Sequence, residues 1–443
     1  MLDSGTHAAA HHGHGNVENG LPEALPGENA YDARHQCGNS HGEEADRQEA
    51  DRRLFQQFPV HAEDAAGNQG GNVEIQEADL IHKGGAVLGD RLGQQAEGGQ
   101  RRGSENLPAG RERDWTEGFW LGMLWLAYEA TGDTEYRKTA EGLLPKFRTR
   151  LEQKVKTNTH DLGFLYSLSC VAAWKLTGNT ETRSSALWAA DLLYERYNRT
   201  AGIVQAWGAL DDPAKQGRMI IDCNLNLPLL FWAAEETGVQ WYADAAKDHL
   251  HHAMQYLVRP DASTFHTYFM DVHTGKPLRG TTHQGYSDTS CWARGQAWAM
   301  DGFALNARHM DDPDLLDIAQ KTSIYFLNRL PEDYVCYWDL IFQPEDGQCR
   351  DTSAVSCAVC GLLEQLKCMP ADDPLRKPWQ NAVALMMRSL RENYLTQPGQ
   401  DGLLLHGVYN YPRGMGIDTQ NLWGDYFYLE ALVRLKKQWN PYW

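Results

Sequence analysis

The chain has 443 residues, 42% of them hydrophobic, with nine cysteines, 15 tryptophans and a formal net charge of −18. No apolar run of about 18 residues occurs, which excludes a membrane-spanning helix. The acidic balance excludes a general nucleic-acid binder, which needs a basic face, and adhesion to anionic membranes.

Residues 1–110 hold 18 of the 41 glycines, eight of the 17 histidines and no tryptophan. Such a stretch buries too little apolar surface to offset its ordering entropy, so it is expected to be a largely disordered extension, with short helical pieces at 43–58 and 73–95. The cluster His11, His12 and His14 reads as a solvated tail, since no ligand set with metal-site spacing completes it. The odd, irregularly spaced cysteines predict reduced thiols. With no basic-then-apolar leader pattern, the expected location is cytoplasmic.

From residue 111 onward the texture changes and a helical repeat emerges. Apolar, aromatic helices are predicted at 116–130, 162–176, 223–236, 292–308, 353–367 and 422–437. Amphipathic helices are predicted at 134–153, 180–197, 240–258, 314–329 and 375–394. Turns fall at Thr131-Gly132-Asp133, Thr177-Gly178-Asn179, Thr237-Gly238 and Asp311-Asp312-Pro313, the first three with glycine in the position that ends a helix. Asp114 and Glu117 fit a capping box at the first helix. Helices apolar on all sides are buried and amphipathic ones cover them, so the fold class is all-α, an (α/α)6 six-hairpin toroid over 111–443. The sixth inner helix has no partner after it, so its outer mate must come from the N-terminal side.

The segments that enter the inner helices are polar and aromatic: 114–120 (DWTEGFW), 160–164 (HDLGF), 220–228 (IIDCNLNLP), 283–288 (HQGYSD), 292–298 (WARGQAW), 406–409 (HGVY) and 423–426 (WGDY). In a toroid they converge on one mouth, and aromatic rings with a few polar groups suit a sugar. Asp161 and Asp222 each begin an inner helix. Each is read either as a helix cap or as half of an acid/base pair, in which burial and mutual repulsion keep one carboxyl protonated. Arg294 shares a helix face with Trp298 and is either a structural salt bridge or a bidentate grip on a carboxylate. His160, His266 and His283 are each either structural or catalytic. Cys357 and Cys360 read as core, and no phosphate loop, HExxH or GxSxG is present.

At these motifs, over roughly residues 114–437, the sequence resembles the unsaturated glucuronyl hydrolases of glycoside hydrolase family 88. The resemblance implies an α/α barrel without a metal or other cofactor, acting on unsaturated uronic-acid oligosaccharides left by polysaccharide lyases, as a monomer or homodimer. It places the general acid/base on Asp222 and a second active-site carboxylate on Asp161. Sugar contacts fall on Trp115, His160, Trp207, His266, His283, Gln284, Arg294 and Trp298. Two departures stand out: residues 1–110 show no counterpart of the family's N-terminal helix, and the lysine of sulfate-preferring members is replaced by Met415, with Arg413 nearby. The alternatives are an unsaturated rhamnogalacturonyl hydrolase, an ordinary inverting glycosidase using the same two aspartates, and a non-catalytic sugar-binding protein.

Overall fold

The computed structural model describes residues 115–310, 312–397 and 400–443. The N-terminal expectations, the Asp114 half of the capping box and Asp311 of the fourth turn lie outside them.

The first hairpin is α1 (Glu117–Thr131) and α2 (Thr134–Glu152). The second inner helix is α3 (Leu162–Tyr166) and α4 (Ala172–Thr177), joined by a π turn at Ser167–Val171. One continuous helix was expected there; Ser169 Oγ donates to Leu165 O at 2.5 Å at this turn, side-chain competition of the kind that disturbs helices. Its outer partner is α5 (Thr180–Tyr194). Then come α6 (Pro228–Thr237) with α7 (Gln240–His252), α8 (Ala293–Ala307) with α9 (Pro313–Leu327), α10 (Thr352–Cys368) with α11 (Arg376–Asn393), and α12 (Leu422–Lys436).

Local chemistry explains the turns. Gly132, Gly178 and Gly238 end α1, α4 and α6 in the left-handed region, at φ of 75°, 70° and 74°, where a side chain would be strained. The threonine before each glycine donates to the carbonyl four residues back, at 2.7, 2.7 and 2.6 Å. Asp133, Asn179 and Asp312 then cap the following helices through their side chains. α6 starts at Pro228 rather than 223, because a short 3-10 turn, Ile221–Leu225, precedes it and proline is suited to the first helical position.

The aromatic helices are the buried ones. Every residue of α8 from Ala293 to Asn306 is buried, whereas α11 buries Trp379, Ala382, Val383, Met386 and Leu390 on one face. α1 packs on α3 and the π turn, α3 on α6, the 3-10 turn on α8, α8 on α10, α10 on α12, and α12 back on α1. The outer helices α2, α5, α7, α9 and α11 each pack on their inner partners. Among the described residues no outer helix pairs with α12, and no helix is long and apolar enough to cross a membrane.

The fold is mostly helical but not all-α. A two-stranded ribbon pairs β1 (Tyr197–Asn198) with β2 (Ile203–Val204). An antiparallel sheet of order β3-β4-β5 joins Arg218–Ile220, Thr267–Met270 and Pro277–Thr281. Both lie in loops that enter inner helices.

Candidate active site

The small sheet assembles the centre of the site. Ile220 pairs with Thr267, and Thr267 with Thr281. In an antiparallel sheet the end of β3, the start of β4 and the end of β5 share one edge. Asp222 follows β3, His266 precedes β4 and His283 follows β5, so the three meet there. The His266 ring fixes the arrangement: its Nδ1 accepts from the backbone N–H of His283 at 3.0 Å and of Gln284 at 3.1 Å. Its Nε2 lies 3.7 Å from Asp222 Oδ1. Since Nδ1 accepts, the neutral ring carries its proton on Nε2, facing the carboxyl.

The second carboxylate arrives from the start of α3. Asp161 occupies the cap position but makes no side-chain cap bond; its Oδ2 accepts from Thr159 Oγ1 at 2.7 Å, and His160 Nε2 lies 3.4 Å from its Oδ1. Asn226 ties the two aspartate segments together. Its Oδ1 accepts from Phe164 N at 2.7 Å and its Nδ2 donates to Asp222 O at 3.2 Å. The approach needs Gly163, where a Cβ would sit 2.3 Å from Asn226 Cα.

Each aspartate side chain is 19% exposed, so both are desolvated yet reachable. Burial, reinforced by the charge of Asp161, raises the Asp222 pKa to about 7, against the opposing pull of Arg294. Burial also raises Asp161, to about 6, with the Thr159 hydrogen bond and Arg196 holding it down. Asp222 therefore keeps its proton to higher pH than its neighbour. Among the described residues its Oδ1 is buried without a hydrogen-bond partner. Burial keeps His160 neutral, its pKa lowered to about 3, and drives His266 well below the ordinary histidine value.

Aromatic side chains line the approach. Trp115 stacks on Trp423 at 5.2 Å, and its Nε1 donates to Tyr409 Oη at 3.3 Å. Trp207 lies 5.1 Å from His283 and 6.3 Å from His160, with the Arg218 guanidinium 4.9 Å from its ring. Trp298 packs between Phe164 and Phe427, 5.5 Å from each, at 1% exposure, which makes it floor rather than wall.

Arg294 is where the geometry departs from the resemblance. Nη1 donates to Asp351 Oδ2 at 3.0 Å and to Val408 O; Nη2 donates to Gln284 Oε1 at 2.9 Å and to Tyr409 O at 2.6 Å. The guanidinium lies between the rings of Trp292 and Trp423, 4.5 and 5.1 Å away. With four of the five N–H donors of a guanidinium used, a bidentate grip on a ligand carboxylate is excluded in this arrangement. The structural salt bridge is the reading the geometry supports, and Arg294 instead holds Gln284 by its carbonyl, leaving the amide N–H groups as donors.

Sequence reasoning missed Arg196. It is buried, donates to Asn158 Oδ1 and to the carbonyls of Gln205, Ala206 and Gly208, and acts electrostatically on Asp161. No motif flags it, because its role comes from the β1–β2 ribbon. Asn226 and Gly163 lie inside the motifs at 220–228 and 160–164, but only their contact reveals what they do.

A protein-family model described as Glycosyl Hydrolase Family 88 matches residues 92–393. An unsaturated chondroitin disaccharide hydrolase from Streptococcus pyogenes serotype M1 is 47% identical over 332 residues, covering 74% of this chain and 83% of that protein. The crystal structure of an unsaturated glucuronyl hydrolase from Streptococcus agalactiae superposes with a TM-score of 0.78 at 42% identity, covering 84% of this chain and 94% of that one. A variant of the latter enzyme, solved with dGlcA-GalNAc6S, matches with a TM-score of 0.72 at 38% identity, covering 87% and 98%.

Proposed function

The chain belongs to glycosyl hydrolase family 88, and from that premise we propose that it hydrates the C4=C5 bond of a 4,5-unsaturated glucuronic acid at the non-reducing end of an oligosaccharide. The observation that carries this reading is the pair of carboxyls in one desolvated site, with Asp222 raised to about 7 beside Asp161. The dGlcA-GalNAc6S bound by a relative supports the substrate class.

The chemistry follows from an enol ether meeting a protonated carboxyl. Asp222 gives its proton to C4; the π bond breaks, a C4–H bond forms and C5 becomes oxocarbenium-like. The resulting Asp222 carboxylate then takes a proton from water as its oxygen bonds to C5, which restores the acid. The C5 hemiketal opens to a ketone and frees C1 as a hemiacetal, from which the remaining sugar departs. One residue thus acts as acid and then base. Asp161 keeps Asp222 protonated by repulsion and offsets positive charge near the ring oxygen. The neutral His266 faces Asp222 at 3.7 Å without ionising it.

The uronate carboxylate meets the amide N–H groups of Gln284, in the positive field of Arg413 and Arg218; burial first, and then these two guanidiniums, lower the His283 pKa. Trp115 and Trp207 stack on sugar faces, His160 and His283 serve the hydroxyls, and Arg294 and Trp298 support the site from behind. The closed succession of inner helices supports a six-hairpin (α/α)6 toroid. The cysteines among the described residues are all free, which supports a reducing, cytoplasmic setting. An unsaturated chondroitin disaccharide tests the function: its alkene absorbance should decay with enzyme, and a steady absorbance would refute the proposal.

A further inference from the structure

Seven large apolar side chains are exposed among the described residues, and three of them gather on loops beside the site: Tyr286 at 60%, Ile341 at 51% and Met415 at 44%. They border a run of aromatic rings. Tyr286 meets Phe342 edge-on at 5.1 Å, Phe342 lies 5.4 Å from Trp338, and Trp338 stacks on Tyr411 at 4.3 Å and 6°. A contiguous apolar patch of this kind on a protein surface marks a binding site more often than scattered single residues do.

The patch is continuous with the catalytic mouth. Tyr286 lies two residues beyond Gln284, and Tyr411 two beyond Tyr409. Arg294 binds both Gln284 and the Tyr409 carbonyl, so one guanidinium joins the two loops. The patch is also rigid at its base. The buried Asp339 accepts from Tyr286 N at 2.9 Å, Ser290 Oγ at 2.7 Å, and Cys291 N and Ile341 N at 3.2 Å each. A rigid row of rings at the edge of a sugar site, within reach of the positive Arg413 on the Tyr411 turn, suits more sugar rather than a partner helix.

Building on the hydration reading above, we propose that Tyr286, Phe342 and Tyr411, backed by the buried Trp338, form an outer platform that binds the internal sugars of unsaturated uronic-acid oligosaccharides longer than a disaccharide. The exposed face of Tyr286 stacks on the C–H face of a sugar ring, and Ile341 and Met415 extend the apolar strip.

Tyr286→Ala tests this, because the side chain is exposed and its loss leaves the catalytic groups in place. Wild type and variant are compared on an unsaturated disaccharide and on the tetrasaccharide of the same repeat. The variant should lose about tenfold in kcat/KM on the tetrasaccharide, the scale of returning one ring face to water, and stay within about twofold on the disaccharide. Equal losses on both would show a loop-pinning role and overturn the proposal, as would no loss on either. Sedimentation of both proteins closes the other route: a wild-type dimer that Tyr286→Ala converts to monomer would assign the patch to self-association instead. A wild-type enzyme inactive on the disaccharide would refute the hydration reading itself, and the platform with it.

Discussion

Asp222→Asn preserves the shape of the side chain and removes its proton cycle. Turnover should fall more than about 100-fold, as expected for a general acid/base, while binding of the unsaturated disaccharide, measured by calorimetry, stays close to wild type. Near-normal turnover would exclude Asp222 from the role. The active form is protonated, so kcat/KM of the wild type should fall as pH rises above about 7. Stability carries the same sign. The pKa of Asp222 rises from 3.8 to about 7 on folding, so its contribution is fully present below about pH 4 and is lost as pH rises through 7. Above pH 7 Asp222→Asn should therefore melt higher than wild type, while the gap closes near pH 4; an unchanged difference across that range would contradict the assignment. Arg294→Ala belongs to a different class. It strands the buried Asp351, and the loss should be about 3–5 kcal/mol of stability, read in urea unfolding. A variant of wild-type stability with only a raised KM would restore the carboxylate-grip reading.

At the scale of elements, the helices were legible and the strands were not. Glycine after an apolar run, then Asp or Asn, marks the end of α1 and the starts of α2 and α5, and Asp312 with Pro313 marks the start of α9, each to within a few residues. β3, β4 and β5 span three to five residues each, too short for an alternating pattern to register, yet they carry Asp222, His266 and His283 to one edge. The same limit hid the work of Arg294: its partners Asp351 and Val408 lie 57 and 114 residues away, beyond any local pattern. The carboxylate pair was legible as motifs, but its geometry depends on how α3 meets the 3-10 turn. Gly163→Ala probes that junction. The new methyl meets backbone atoms of Asn226, so the two segments must separate. We expect a loss of about 1–3 kcal/mol from overpacking and a fall in kcat exceeding any rise in KM. Unchanged kcat would show that the spacing of the two aspartates is not critical.

Over the whole molecule, the site at the entrance of the inner helices is matched by a closure at their far ends. Glu129, late in α1, accepts from Lys437 Nζ, Trp439 Nε1 and Tyr442 Oη. Lys175 donates to Pro441 O at 3.0 Å, and Trp443 Nε1 donates to Glu430 Oε2 at 3.0 Å. Trp443 lies 6.1 Å from both Phe427 and Phe164, so the C-terminal segment supports the floor beneath Asp161. Trp443→Ala should cost about 3–5 kcal/mol, as large-to-small changes in a core do, and thermal denaturation measures it; an unchanged Tm would show that the closure is dispensable. The central claim, however, concerns which bond the assembled site attacks. Turnover of an unsaturated chondroitin disaccharide in D₂O, followed by NMR of the first-formed product, tests it most directly. Hydration through Asp222, which exchanges its proton with solvent, predicts one deuterium at C4 and no remaining alkene. A first-formed product that keeps its double bond and carries no deuterium at C4 would contradict hydration and indicate direct cleavage of the glycosidic bond.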